Sequence, residues 1–132
     1  MSGMKKVLTD KAAPPAGPYT QAIDIGSLIF VSGQIPATAD GTLVEGSIQD
    51  KAEACCKAIQ AILEEAGSSL SRVVKTTVFL TDMSNFVPVN EVYERYFSHK
   101  PARSCIAVAQ LPKGVPVEIE CIALPGDGGP KI

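Results

Sequence analysis

The chain has 132 residues, 45% hydrophobic and 20% charged, with a formal net charge of −2. That is the size and composition of one compact globular domain. Without Trp or a basic stripe, nucleic-acid binding is disfavoured, and no apolar run approaches the roughly 18 residues of a membrane span.

Lys5 to Leu8 reads as a short first strand. Ala12-Ala13-Pro14-Pro15-Ala16-Gly17-Pro18 cannot enter a sheet interior, because proline has no N–H to give, so it is an ordered surface loop. Thr20–Ile25, a Gly26-Ser27 turn and Leu28–Ser32 form a hairpin pattern. Residues 35–46 are loop-like, with a turn at Asp40-Gly41. Ser47 is the expected N-cap of the first helix, with Asp50 three positions on, close to a capping box. Ile48, Ala52, Cys55, Ile59, Ile62 and Leu63 then recur at helical spacing as one apolar stripe, and Gly67 stops the helix.

Val73–Leu80 is rich in β-branched residues and reads as a central strand. Asp82 to Asn85 caps a second helix, with Phe86, Val89, Val92, Tyr93, Tyr96 and Phe97 on its packing face and Pro88 in its first turn. Strands at Arg103–Ala109 and Val117–Leu124, divided by a Pro- and Gly-bearing loop, complete the domain. The tail from Pro125 is expected to fray. The order is β-β-β-α-β-α-β-β, an α+β domain with a single mixed sheet and two helices on one face. Residues 1–132 form one domain, with its core over 5–124. The other sheet face needs a cover, which favours an oligomer; Ala107, Ala109, Ile119 and Cys121 are candidate residues for that face.

Cys55, Cys56, Cys105 and Cys121 form no CxxC pair, and His99 is the single histidine, so no zinc spacing exists. The cysteines read as buried reduced thiols in an intracellular protein. No apolar leader follows Met1. The expected location is cytoplasmic; a mitochondrial one is also compatible, since a presequence is removed on processing.

Chemistry concentrates near the end of the chain. Arg103, in Pro101-Ala102-Arg103-Ser104-Cys105, offers a planar charged fork matched to a carboxylate, or else serves as a surface or ion-pair residue. Glu118 and Glu120 share a strand face. A carboxyl desolvated among Val and Ile is poised to move protons, but at most one of the two can be comfortably buried while both are charged. Spacing alone does not choose between them. Tyr19 is a loop anchor or a pocket wall, and Ser32-Gly33 a turn or a polar ligand contact. Asn90 is a solvated helix residue or a ligand contact. Cys105 has no histidine near it in sequence, which disfavours a Cys/His dyad. Gly126, Gly128 and Gly129 fit no phosphate-loop pattern and receive no role.

Taken in order, Gly17-Pro18-Tyr19, Ser32-Gly33-Gln34-Ile35-Pro36, Val74-Lys75-Thr76-Thr77-Val78-Phe79, Asn90 with Tyr93, Pro101-Ala102-Arg103-Ser104-Cys105 and Val117-Glu118-Ile119-Glu120 closely resemble the RidA (YjgF) family of reactive-intermediate deaminases. The resemblance runs from about Lys5 to Leu124. It implies a chorismate-mutase-like fold assembled as a homotrimer, sheets inward, with clefts between subunits for small 2-oxo, 2-imino or 2-amino acids. The implied reaction is hydrolysis of enamines and imines such as 2-aminoacrylate, released by pyridoxal-phosphate enzymes, to a 2-oxo acid and ammonia. No metal or bound cofactor is implied. Arg103 would clamp the substrate carboxylate, Glu118 rather than Glu120 would activate water, and the backbone at Cys105 would orient the imine. Tyr19, Ser32, Gly33 and Asn90 would line the cleft. Two other readings stay open: a non-catalytic trimeric binder of 2-oxo or amino acids, and an RNA-cleaving translation inhibitor, which the weak negative charge disfavours.

Overall fold

The computed structural model describes residues 3–126. Its strands are Lys5–Val7 (β1), Ala22–Asp24 (β2), Ile29–Gln34 (β3), Val73–Leu80 (β4), Ala102–Ala107 (β5) and Val117–Ala123 (β6). Two α-helices, Ile48–Glu65 (α1) and Phe86–Tyr96 (α2), connect β3 to β4 and β4 to β5. The strands form one sheet in the order β1-β2-β3-β6-β4-β5. Every pairing is antiparallel except β4 with β5, so the sheet is mixed, as the element order led us to expect.

Local chemistry sets the ends of α1. The Ser47 hydroxyl accepts the Asp50 N–H at 3.0 Å, and the Asp50 carboxylate accepts the Ser47 N–H at 3.2 Å, which completes the capping box. At the other end Gly67 takes φ +80°, a left-handed value that glycine adopts without cost. Its N–H bonds the Glu64 carbonyl at 3.0 Å and the Ser68 N–H bonds the Leu63 carbonyl at 2.8 Å, a Schellman motif. Between these ends Ala52, Cys55, Cys56, Ala58, Ile59, Ile62 and Leu63 are buried. α1 lies on β3 and β6 and against α2. Burying each of Ile59, Ile62 and Leu63 contributes roughly 1.5–3 kcal/mol.

The β4–β6 register decides which side chains face the helices. Thr76 pairs with Cys121, Val78 with Ile119 and Leu80 with Val117, all in the core. The alternate pairs, Thr77 with Glu120 and Phe79 with Glu118, point to the opposite face. Ile119 and Cys121, expected on the uncovered face, are therefore core residues, 0% and 3% exposed. A strand cannot turn Ile119 and Glu118 to the same side. Ala107 pairs with Leu80 and so belongs to the helix side at the sheet edge, while Ala109 lies past the end of β5. The open face instead carries Phe30, Phe79, Ile106 and Ile122, with Phe30 and Ile106 more than 40% exposed.

The chain after β6 is held further than expected. The Leu124 N–H donates to the Arg72 carbonyl at 2.9 Å, and Arg72 Nε donates to the Pro125 carbonyl at 2.6 Å. Gly126 passes so close to Gly67 that a Cβ there would meet its carbonyl carbon at 3.0 Å. Fraying therefore does not begin at Pro125. Gly128, Gly129 and the rest of the expected tail lie outside the described residues.

Ser47→Ala removes the acceptor for the Asp50 N–H, and should cost about 1 kcal/mol of stability. Chemical denaturation would detect this as a lower midpoint with an unchanged slope.

Candidate active site in two halves

Arg103 is the second residue of β5 and pairs with Thr76, so it points to the helix side beneath α2. Its Nη1 donates to Asn90 Oδ1 at 2.7 Å. Its guanidinium carbon sits 4.8 Å from the Tyr93 ring centroid and 5.4 Å from that of Phe86. Cation–π contacts of this kind contribute about 0.5–2 kcal/mol, more as water is excluded. Phe86, Asn90 and Tyr93 follow i, i+4, i+7 spacing and so form one stripe of α2. The Tyr93 hydroxyl is in turn hydrogen-bonded to Thr76 Oγ1 at 2.6 Å, and Thr76 is fully buried. The fork is braced on its ring faces and at one corner, which leaves most of its five donors for a ligand.

Cys105 follows on the same side of β5, opposite Val78, and is half-buried rather than buried as expected. Burial pushes its thiol up, only partly offset by the Arg103 charge. A protonated thiol is a poor nucleophile, which fits a backbone role.

Glu118 stands on the open face of β6. It is half-buried, and burial, aided by the charge of Glu120, raises its carboxyl above the usual range. Glu120 is exposed. Of the two acids the structure desolvates Glu118. Glu118 lies against the backbone of Gly33, where an added Cβ would come 2.8 Å from its carboxyl carbon. A side chain at this position would push the Glu118 carboxyl out of its present place. Tyr19, Gln34, Pro112 and Lys113 complete the pocket wall. Ser32 is half-buried, and its hydroxyl donates to the Thr20 carbonyl at 2.6 Å, next to the pocket residues Tyr19 and Gly33. Asn90 anchors Arg103, which places it beside the guanidinium.

Within one chain the two halves do not converge. Arg103 and Cys105 lie on the helix side, Glu118, Tyr19 and Gly33 on the open side or its rim, with the sheet between. A roomier groove of about 400 Å³, between α1 and residues 37–45, is no rival. Two of its three acids are engaged, Asp50 in the helix cap and Glu53 as acceptor from the Tyr96 hydroxyl at 2.7 Å, and the third, Glu45, is exposed. Among the described residues no group of three or more His, Cys, Asp or Glu could hold a metal ion. Residue-by-residue reading missed the Phe86 and Tyr93 brace, although their spacing with Asn90 carried the signal.

The fold and these side chains define a class: a small α+β domain that offers a braced arginine and a desolvated carboxyl. A family model described as endoribonuclease L-PSP matches residues 9–125. Protein HMF1 of Saccharomyces cerevisiae is 52% identical over 122 residues, covering 92% of this chain and 95% of that protein. "Putative reactive intermediate deaminase TdcF" of Escherichia coli K12 is 43% identical over 126 residues, covering 92% and 98%. The crystal structure of yeast Mmf1 superposes with a TM-score of 0.90 at 47% identity, covering 92% of this chain and 98% of that one. For the structure of E. coli TdcF with bound serine the TM-score is 0.87 at 41% identity, covering 91% and 98%. The chain belongs to the RidA (YjgF) family, whose model carries the L-PSP description.

Because Glu120 adds to the upward shift of Glu118, Glu120→Gln should lower the Glu118 titration midpoint, read by carboxyl NMR. The folded carboxyl holds its proton more tightly than the unfolded one. Its contribution to stability is therefore complete below the unfolded pKa and is lost as pH rises through the folded value.

Proposed function

We propose that this protein is a homotrimeric hydrolase of 2-imino and 2-enamine acids, of the 2-aminoacrylate, 2-iminopropanoate and 2-iminobutanoate type, which yields 2-oxo acids and ammonia. The observation that carries the reading is the pair of half-sites. One chain presents a braced guanidinium at the β5 edge, and the same chain presents a proton-poised carboxyl on its open sheet face. A head-to-tail ring brings the arginine of one subunit to the carboxyl of the next, and each contact is the same. The exposed Phe30 and Ile106 supply apolar surface for that contact. TdcF, in name a reactive intermediate deaminase, supports the same chemistry.

The residues divide the work. Arg103 holds the substrate carboxylate in its fork, and the backbone at Cys105 orients the C=N group. An enamine first gains a proton at its terminal carbon to become the imine. Water held by Glu118 then adds to the imine carbon as the carboxylate takes its proton. Returned to nitrogen, that proton completes the carbinolamine; Glu118 then takes the hydroxyl proton and passes it to the amino group as the C–N bond breaks, so ammonia leaves and the 2-oxo acid remains. Imines are already electrophilic, so orientation and one general base contributing about 10²–10⁴-fold are sufficient tools. No step calls on a metal or bound cofactor. The reducing compartment that free thiols require is met in the cytoplasm and in mitochondria; the relative Mmf1 carries the word mitochondrial in its name.

Mixing the protein with a dehydratase and serine or threonine should shorten the lifetime of the released imine, followed as its semicarbazone. An unchanged lifetime would overturn the proposal. Arg103→Ala should abolish the effect, and Arg103→Lys should restore little of it, since a point charge lacks the planar fork. Glu118→Ala should also be inactive, whereas a purely binding protein would tolerate it. Activity should fall as pH drops toward the raised Glu118 pKa, because the base must be ionised. RNA incubated with the chain at physiological salt should stay intact.

A further inference from the structure

The segment from Ala13 to Tyr19 walls the Glu118 pocket, yet it makes no strand pairing. Tyr19 is 48% exposed, so core packing does not hold it. The loop braces itself locally: the Tyr19 hydroxyl accepts the Ala16 N–H at 3.2 Å, and the Tyr19 N–H donates to the Gly17 carbonyl at 2.9 Å. Something else must fix the loop as a body.

One side chain closes its neck. Gln21 is 1% exposed, and its amide is fully used. Oε1 accepts the Thr9 N–H at 2.7 Å, while Nε2 donates to the carbonyls of Thr9 at 3.1 Å and Ala13 at 2.9 Å, with a longer contact to Ala12 at 3.4 Å. The backbone of Gln21 continues the link, because its carbonyl accepts the Ser32 N–H at 2.9 Å. Ser32 precedes Gly33, whose backbone lies against Glu118. Loop, neck and pocket floor thus form one hydrogen-bonded unit. Chain ends held this way are typical of compact Ω-like loops that carry function.

We propose that Gln21 is the positioning residue of the Glu118 half-site: it seats the Pro-rich loop and Tyr19 as the wall that limits access of ligand and water to that carboxyl. This rests on Glu118 being the proton-transfer group proposed above. Gln21 belongs to the pocket lining, but it is 1% exposed and its amide is committed to the loop backbone. It acts through the loop, and the raised Glu118 pKa fits a carboxyl that the wall keeps partly dry.

Gln21→Met keeps the length of the side chain and removes its amide bonds. Thermal melting and sizing would confirm that the variant folds and assembles as wild type does. With the loop released, water should reach Glu118, and its NMR titration midpoint should fall by about half a unit or more. KM for 2-iminopropanoate should rise about fivefold, with a smaller change in kcat. Should the Met variant fail to fold, Gln21→Leu carries the same test, since it also removes the amide and adds no charge beside Glu118. A folded variant with the wild-type Glu118 midpoint and wild-type KM would overturn the proposal and leave Gln21 a structural residue alone. The titration needs no turnover. A wild-type chain inactive on imines, together with a shifted midpoint in the variant, would sink the deaminase reading and leave the role of Gln21 standing.

Discussion

The period-two alternation of β6, locked by its antiparallel register with β4, sends Val117, Ile119, Cys121 and Ala123 into the core and turns Glu118 and Glu120 to the other face. Both helices lie on the core side, so among the described residues nothing covers the glutamate face beyond the rim of the Pro-rich loop. The parallel β4–β5 register adds a second consequence, since Arg103 aligns with buried Thr76 and must face the helices. One sheet therefore separates the Arg103 guanidinium from the Glu118 carboxyl. A site that needs both must draw them from different copies of the chain.

Each half-site is prepared by neighbours that do not themselves react. Arg103 is held on two aromatic faces and by Asn90, so little side-chain freedom remains to be lost when a carboxylate binds. Glu118 keeps a raised pKa because Gly33 lets it lie along β3 and the Pro-rich loop shields it. The cysteines stay inert for the same physical reason. Burial pushes the thiols of Cys56 and Cys121 up to about 12, which leaves them protonated packing groups.

Much of this was legible in the residues alone, where local chemistry decides. Ser47, Asp50 and Gly67 mark α1 because caps and stops are local hydrogen-bonding problems, and the run from Val73 to Leu80 matches β4 residue for residue. What failed depended on partners distant in sequence. Ile119 and Cys121 were expected opposite the helices because small apolar residues suit an oligomer face, yet alternation with Glu118 already forbade that. Pro125 was expected to fray because nothing local holds it; its partner is Arg72, far back in the chain. Whether Arg103 and Glu118 meet within one chain or across two was not legible at all, since spacing along two strands does not reveal which side of the sheet each side chain takes. Gln21 was invisible for a related reason: a polar residue entering a strand reads as solvent-facing until its partners are seen.

The central claim is that the working site joins Arg103 of one subunit to Glu118 of another. Arg103→Ala and Glu118→Ala chains, each inactive by itself, can be unfolded, mixed in equal amounts, reassembled and assayed for imine loss. Random mixing puts an intact arginine beside an intact glutamate at one contact in four, so about a quarter of wild-type activity should return. No recovery in mixed assemblies would contradict a shared site and return both residues to a single chain.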